Sequence, residues 1–331
     1  MSTCLPRQRF FKGALIGLIM IASGCGIPGF SSKASPTPPA TTSKAFQPLN
    51  QTPKPMLMVR QGNKVTIHLY AEETEVPIAP GVTFPAWTFD GTVPAPSLYL
   101  RTGDHVTLTL TNLDPKMAHA IDLHAALVLP GLDFTPVLPG QSKTIRFKAQ
   151  LPGVYLYHCE ASPMPLHIAQ GMYGAVVVTP PGEAPPLYTL VQSEFYQPNN
   201  LNSVLNSPPN YVVFNGVADR YTVHPLRVPA KRPFSVAVVN AGPNLFSAFH
   251  VVGSTLRDVH ASGNPRNNLY DAQTYTIAPG DAALIQLEFQ QPGLYSFVSH
   301  SMDQFGKGAY GVFDAVDAPT NPKTSTTSPS S

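Results

Sequence analysis

The chain has 331 residues, 43% hydrophobic and only 12% charged, with 37 prolines, 24 glycines, three cysteines and one tryptophan; a soluble domain usually carries about 25% charged residues. That length suits one large domain or two of ordinary size, and the composition excludes a collagen-like chain, a disulfide scaffold, a coiled coil and a wholly disordered protein. A formal charge of +2 gives no case for nucleic acid as a partner.

At the N-terminus, Arg7, Arg9 and Lys12 precede an apolar run from Ala14 to Ala22 and then Ser23-Gly24-Cys25. This is the pattern of an export signal over residues 1–24, with an apolar run too short to span a membrane. The small residues directly before Cys25 resemble a bacterial lipobox, so Cys25 is expected to become the lipidated first residue of the mature chain. Losing three basic and no acidic residues with the signal turns the net charge to −1. Cys4 leaves as well, so Cys159 is the one thiol expected in a folded domain, and no intrachain disulfide is expected. Residues 25–55, with seven prolines among Ser, Thr, Ala and Lys, read as a lipid-anchored flexible linker, and residues 317–331 as a disordered tail. The expected location is periplasmic or at the cell surface, at the outer membrane through the lipid alone.

Between these ends the chain reads as an all-β protein. Lys64–Leu69, His105–Leu110, Thr144–Phe147 and Gly174–Val178 are short alternating or β-branched runs separated by turn signals such as Pro139-Gly140 and Pro152-Gly153, the pattern of a β-sandwich. After a stiff Pro180–Pro186 linker the pattern recurs. Phe89-Asp90-Gly91 is echoed by Phe214-Asn215-Gly216, Pro139-Gly140 by Pro279-Gly280, Pro152-Gly153-Val154-Tyr155 by Pro292-Gly293-Leu294-Tyr295, and Gly171-Met172-Tyr173-Gly174 by Gly308-Ala309-Tyr310-Gly311. The last three echoes lie 140, 140 and 137 residues apart, so two tandem Greek-key sandwiches are expected, over residues 56–180 and 187–316.

The first copy collects His119, Cys159, His167 and Met172, three of them in one loop with the spacing Cys-x7-His-x4-Met. Two imidazoles, a thiolate and a thioether suit a blue, type 1 copper, with the methionine as a weak axial ligand. In the second copy the positions of Cys159, His167 and Met172 fall at Ser299, Gln304 and Ala309, and that of His119 is expected at His250; no type 1 copper is expected there. His158 directly precedes Cys159 and must face the other way along a strand. With His124 and with His300, beside the Ser299 position, it offers three imidazoles for a second, open metal site.

His119-Ala120-Ile121-Asp122-Leu123-His124, Tyr157-His158-Cys159, His167-Ile168-Ala169-Gln170-Gly171-Met172, Phe249-His250-Val251-Val252-Gly253 and Val298-Ser299-His300 together resemble the copper-containing, NO-forming nitrite reductases. The eight-residue step from Cys159 to His167 is similar to the lipoprotein branch of that family. The resemblance implies two cupredoxin domains per chain, a homotrimer and two coppers per chain. Type 1 copper would sit on His119, Cys159, His167 and Met172, and type 2 copper on His124, His158 and His300 of the neighbouring subunit. Asp122 and His250 match the residues that hydrogen-bond nitrite and deliver protons, and Val252 stands where the family usually has a substrate-gating isoleucine. The donor is left open between a c-type cytochrome and a small cupredoxin. Two other readings stand beside this one: a multicopper oxidase, which needs about eight histidines, largely in His-x-His pairs, and a blue-copper carrier or copper-binding protein without a working type 2 site. No His-x-His pair occurs in the chain and Glu160 follows Cys159. His68, His105, His224 and His260 fall outside every motif and read as structural or solvent-facing.

Overall fold

The alternation that begins at Lys64 runs much further than the sequence pattern suggests and builds a strand of 16 residues. In the computed structural model, which describes residues 53–317, Val65, Ile67, Leu69 and Ala71 of this strand are buried, while Lys64, Thr66, His68 and Tyr70 are exposed. This is the two-residue period of a strand with one wet face. The export signal, Cys25, nearly all of the linker and most of the tail lie outside the described residues. Among the described residues no helix is long and apolar enough to cross a membrane.

The first sandwich is built from β1 (Met58–Gln61), β2 (Lys64–Ala79), β3 (Val82–Phe89), β4 (Leu98–Arg101), β5 (His105–Asn112), β6 (Asp122–Leu123), β7 (Ser142–Lys148), β8 (Gly153–His158) and β9 (Tyr173–Thr179). One sheet runs β1-β2-β5-β7 with β3 also on β2, and the other runs β4-β9-β8-β6. The second sandwich comprises β10 (Tyr188–Phe195), β11 (Tyr211–Phe214), β12 (His224–Pro229), β13 (Phe234–Asn240), β14 (Ser247–Val251), β15 (Leu256–Ala261), β16 (Asn268–Ala272), β17 (Thr274–Ile277), β18 (Ala282–Leu287), β19 (Gly293–Ser299) and β20 (Tyr310–Val316). Its sheets run β11-β10-β13-β18-β15-β16 and β12-β20-β19-β14-β17. Five short helical turns, α1 (Pro130–Asp133), α2 (Met164–Ala169), α3 (Leu201–Asn206), α4 (Arg220–Val223) and α5 (Met302–Phe305), lie in the connections. The pairs β2/β5 and β4/β9 are parallel, as are β10/β13 and β12/β20; parallel neighbours cannot be joined by hairpins, so the chain must cross over between them in both copies.

The two sandwiches share buried surface. Val154, Leu156, Ala175 and Val177 pack on Val191, Ala237, Val239 and Ala282, so β9 is buried on both faces along most of its length. A strand covered on both sides has no need of polar alternation, which explains the unbroken apolar run in its sequence. The far half of β2 and its partner β3 reach further still, placing Ile78, Phe84 and Ala86 against Phe195, Val213 and Ala218. At this junction Gly216 has φ +81°, and a Cβ there would collide with the Val93 carbonyl; only glycine combines that conformation with so close an approach.

The backbone also gives the register of the duplication. Cys159 N donates to Met172 O at 3.0 Å and Ser299 N to Ala309 O at 3.1 Å, while Met172 N donates to His167 O at 3.2 Å and Ala309 N to Gln304 O at 3.1 Å. Ala120 N points to Cys159 Sγ at 3.3 Å as Ala248 N points to Ser299 Oγ at 3.1 Å. Position 119 is therefore matched by Ser247, not by His250. Instead His250 takes the place of Asp122, since Asp122 lies opposite His158 and His250 opposite Val298. The reason is an insertion: the hairpin of β15 and β16 lengthens the second copy between β14 and β17, so residues before it are offset by 128 and residues after it by 140. Extrapolating the later offset backwards misses Ser247.

The Phe84 ring is buried and meets the Phe195 ring edge-on at 5.0 Å. Phe84→Ala should lower the unfolding free energy by about 3–5 kcal/mol, visible as an earlier denaturant midpoint.

Candidate metal centres

Two clusters of metal-ligating side chains form among the described residues, and both start from the end of β8. Cys159 follows β8 directly, is wholly buried, and lies beside His119 and His167. His119 is held by a reciprocal bridge, His119 N to Val137 O at 3.1 Å and Val137 N to His119 O at 2.7 Å. His167 sits on α2, and Met172, also wholly buried, leads into β9. Met172 is tied by its own backbone to both Cys159 and His167 through the two bonds given above.

The donor atoms converge. His167 Nδ1 lies 3.3 Å and His119 Nδ1 3.9 Å from Cys159 Sγ. Nitrogen and sulfur ligands about 2.0–2.3 Å from a common ion in a near-tetrahedral array are about 3.5 Å apart, so these three fit a metal, and a thiolate with two imidazoles favours copper. Burial, partly offset by Asp114, holds His119 below the ordinary histidine range; burial reinforced by the neighbouring His119 lowers His167 to about 4. Both rings are therefore neutral and have a lone pair to give. Burial raises the Cys159 thiol to about 11, against the opposing pull of the Ala120 and Ala161 amides, so the thiolate needs a cation to form near neutral pH.

Sequence reasoning missed what supports this cluster. Asp114 Oδ2 accepts from His119 Nε2 at 2.9 Å, with both side chains fully buried; that contact fixes the tautomer and leaves Nδ1 free toward Cys159. Burial opposes its charge, but the His119 ring and the Lys116 and Met117 amides more than compensate and hold the carboxyl below its usual range. Asn112 in turn donates to Met117 O at 2.8 Å and Val137 O at 2.9 Å and accepts from Asp114 N at 2.9 Å. The repeat marks Asn112 but not Asp114: Asn240 recurs and makes the same set of bonds to Leu245 O, Ile277 O and Gly242 N, with a glycine in the place of Asp114. The only tryptophan, Trp87, covers the rings of His167 at 4.7 Å and His119 at 5.9 Å. His167 Nε2, by contrast, is buried without a hydrogen-bond partner among the described residues, so on that side the ring is held by the tilted Trp87 contact rather than by a carboxylate.

The second cluster lies on the opposite face of the same strand end. Asp122 pairs directly across from His158, and His124 is two residues further on, so all three side chains share one face. His124 Nε2 and His158 Nε2 are 3.2 Å apart, and Asp122 Oδ2 is 3.9 Å from the first and 4.0 Å from the second. His158 is nearly buried, whereas His124 and Asp122 keep a partly open side. Burial and the neighbouring His158 lower His124, partly offset by Asp122 and by the backbone at Gly280. The turn at Gly280 belongs to the second sandwich, so both copies shape this cluster.

His300 does not join it within one chain. It is exposed on the second sandwich, 5.1 Å from the ring of His250, with its amide donating to Ala248 O at 2.7 Å. His250 Nδ1 donates to Gln273 O at 2.7 Å, which leaves Nε2 free, and Val252 is exposed on the same outward side of the strand end. His68 and His105 are exposed, His224 and His260 are partly buried, and none of the four joins a cluster.

Replacing Asp114 by Asn keeps the shape but removes the charge and the fixed acceptor pair, and should weaken copper retention at the Cys159 cluster about 10- to 100-fold in a chelator competition. For metal-free protein the sign of the pH effect follows from the lowered histidines: below about 6.5 the unfolded chain takes up protons that folded His167 refuses down to about 4. Stability is thus present above about 6.5 and is lost as pH falls toward 4, and the melting temperature of the apoprotein should fall across that window.

Comparison with known proteins agrees with this architecture. A family profile described as multicopper oxidase matches residues 70–183. The copper-containing nitrite reductase of Neisseria gonorrhoeae is 34% identical over 277 residues, covering 78% of this chain and 70% of its own; that of Alcaligenes xylosoxydans is 32% identical, covering 67% and 77%. The solved copper nitrite reductase of Nitrosomonas europaea superposes with a TM-score of 0.74 at 36% identity, over 76% of this chain and 94% of that one. A multicopper oxidase structure at 24% identity and a TM-score of 0.70 shares the fold. With paired cupredoxin sandwiches and relatives this close across most of its length, the chain belongs to the copper-containing nitrite reductase family.

Proposed function

We propose that the protein reduces nitrite to nitric oxide with two coppers per chain, the electron entering at a type 1 copper on His119, Cys159, His167 and Met172 and passing to a type 2 copper on His124, His158 and the His300 of a neighbouring subunit. The observation that carries this reading is that consecutive residues, His158 and Cys159, belong to two different donor clusters. One peptide link then joins an electron port to a substrate site. Bound copper supplies a one-electron redox centre at the thiolate cluster and a Lewis acid for nitrite at the histidine cluster.

The reaction also consumes two protons and releases water, so the chain must deliver protons beside the substrate. Asp122 faces the gap between His124 and His158 at 3.9–4.0 Å, suited to a hydrogen bond with a small ligand or its water. His250, its Nδ1 committed to Gln273 O, presents Nε2 beside His300. His250 and Asp122 occupy equivalent places in the two copies, so duplication supplies one proton-bearing side chain from each. Separation of His300 and His250 from the His124 cluster within a chain supports completion of the site between subunits of a homotrimer. Val252 stands on the outward side close to His250 and would border the substrate.

A multicopper oxidase reading draws support from the family profile and the shared fold, but the chain lacks the paired histidines of a trinuclear site. A blue-copper carrier without a second site is opposed by the converged His124, His158 and Asp122. Metal analysis and EPR separate these readings: two coppers per chain with one type 1 and one type 2 signal are expected. One blue copper alone would select the carrier.

With a reduced donor, nitrite-dependent NO release is expected. Asp122→Asn and His250→Ala should each slow turnover about 100-fold or more while leaving the blue absorbance unchanged. Turnover equal to the parent protein in both variants would remove the two residues from proton delivery.

A further inference from the structure

The duplication register exposes what the second sandwich has built where the first keeps its metal ligands. Ser247, Ser299, Gln304 and Ala309 occupy the places of His119, Cys159, His167 and Met172, as the shared backbone bonds require. These side chains are not a collapsed apolar plug. Ser247 Oγ donates to Gln192 Oε1 at 2.7 Å, Gln192 Nε2 donates to Gln304 Oε1 at 3.2 Å, and Ser299 Oγ donates to the same oxygen at 2.7 Å. Gln304 Nε2 then donates to Phe246 O at 2.9 Å, and Ser299 Oγ accepts from Ala248 N. All four polar side chains are buried, and none has a buried polar atom left without a partner.

We propose that Gln192, Ser247, Ser299 and Gln304 form a metal-free clamp that positions His300 and His250, doing by hydrogen bonding what copper does for the equivalent loop of the first sandwich. The proposal rests on the interface copper site proposed above for what His300 binds, but not for how His300 is held. The connectivity carries it. Ser299 directly precedes His300, and the Ala248 peptide is gripped twice, its amide by Ser299 Oγ and its neighbouring carbonyl by the His300 amide at 2.7 Å. Gln304, on α5 just past His300, reaches back to Phe246 O at the foot of β14, and His250 lies on that same strand. An exposed histidine, His300, and a partly buried one, His250, from separate elements are thereby locked to one buried network. A fully satisfied buried network rigidifies and selects one arrangement, whereas a partly satisfied one does not.

Exposed side chains alone cannot hold a ligand geometry, which needs support from residues whose own conformations are locked. Asp114 and Asn112 do this for His119 in the first copy. In the second copy Asn240 persists, and Gln192, Ser247, Ser299 and Gln304 complete the support. These four are positioning residues, since none of them touches the proposed substrate site.

The test uses the full-length protein and a variant in which the network becomes apolar at similar shape, Gln192→Met with Ser247→Ala, Ser299→Ala and Gln304→Met, together with the single change Ser247→Ala. Replacing every partner at once avoids stranding buried polar atoms and so can leave global stability close to the parent. Hydrogen exchange on metal-free protein should then speed up about tenfold or more at the amides of residues 246–250 and 299–305, with other segments unchanged. Chelator competition on the loaded protein should show type 2 copper released about 10- to 100-fold more readily while the blue absorbance is retained. Ser247→Ala, which removes one donor, should move both readings the same way by less, and it decides the matter if the fourfold variant does not fold. Unchanged exchange in those segments, or unchanged type 2 retention in a folded variant, would overturn the clamp. Should the parent protein hold only a blue copper, the interface-site reading fails by itself, and the exchange measurement alone then judges whether the network holds His300.

Discussion

The pleat at the end of β8 is the constraint from which the rest of the molecule follows. Successive side chains on a strand point to opposite faces, so the adjacent His158 and Cys159 cannot serve one site; each commits its own face to a separate cluster. One face is sealed, because Cys159 and its two imidazoles are wholly buried. The other must stay reachable, and Asp122 and His124 keep a partly open side. Shifting this strand by one residue would exchange the two roles and destroy both. The strand is pinned by β9 on one edge and β6 on the other, and its apolar side chains are wedged against the second sandwich. Burial of β8 and β9 between sandwiches therefore fixes the placement of two chemical sites.

Duplication made that placement possible and then let the copies diverge. Both keep the asparagine that ties the ligand loop to its neighbours, Asn112 and Asn240, with the same three hydrogen bonds. Both keep the left-handed pair in the turn that follows β3 or β11, Asp90-Gly91 and Asn215-Gly216. What changed is the interior of the loop: two imidazoles, a thiol and a thioether in the first copy, two hydroxyls, an amide and a methyl in the second. A metal on the proposed ligands would tie the loop of the first copy with bonds stronger than a hydrogen bond; the loop around His300 has no such donor set and needs another tie. The glutamine and serine network supplies several modest bonds there, each worth on the order of 1 kcal/mol net and effective only because all of its members are paired.

Much of this was legible in the residues. The alternating runs beginning at Lys64, His105 and Thr144 are strands, and the spacing of Cys159 and His167 points to the loop whose donor atoms converge with His119. Three things were not legible, each for a physical reason. The long reach of β2 is invisible because Glu72, Glu73, Thr74 and Glu75 read as a polar loop; they are tolerated in a strand because β3 pairs with them at the margin of the first sandwich. Asp114 gave no signal because a buried carboxylate is recognised only by what faces it, and its partner His119 lies five residues along a loop of irregular path. The place of His250 was misread because a hairpin inserted after the pairing shifts the repeat offset, and periodicity carries no information across an insertion.

The strand position of His250 decides its chemistry. As the equivalent of His119 it would have been a relic of a lost copper site, buried and inert. As the equivalent of Asp122 it stands on the outward face of its strand, anchored by Gln273 O and set against His300. The two sandwiches therefore present corresponding faces, one carrying a carboxylate between two histidines and the other a histidine beside a histidine. Each face alone is short of donors: Asp122, His124 and His158 leave room for a further ligand, and His250 and His300 gain no third metal-ligating partner among the described residues. Two half-sites that use equivalent strand positions are complementary in what they lack, and this complementarity is what the proposed joining of subunits at the histidine cluster rests on.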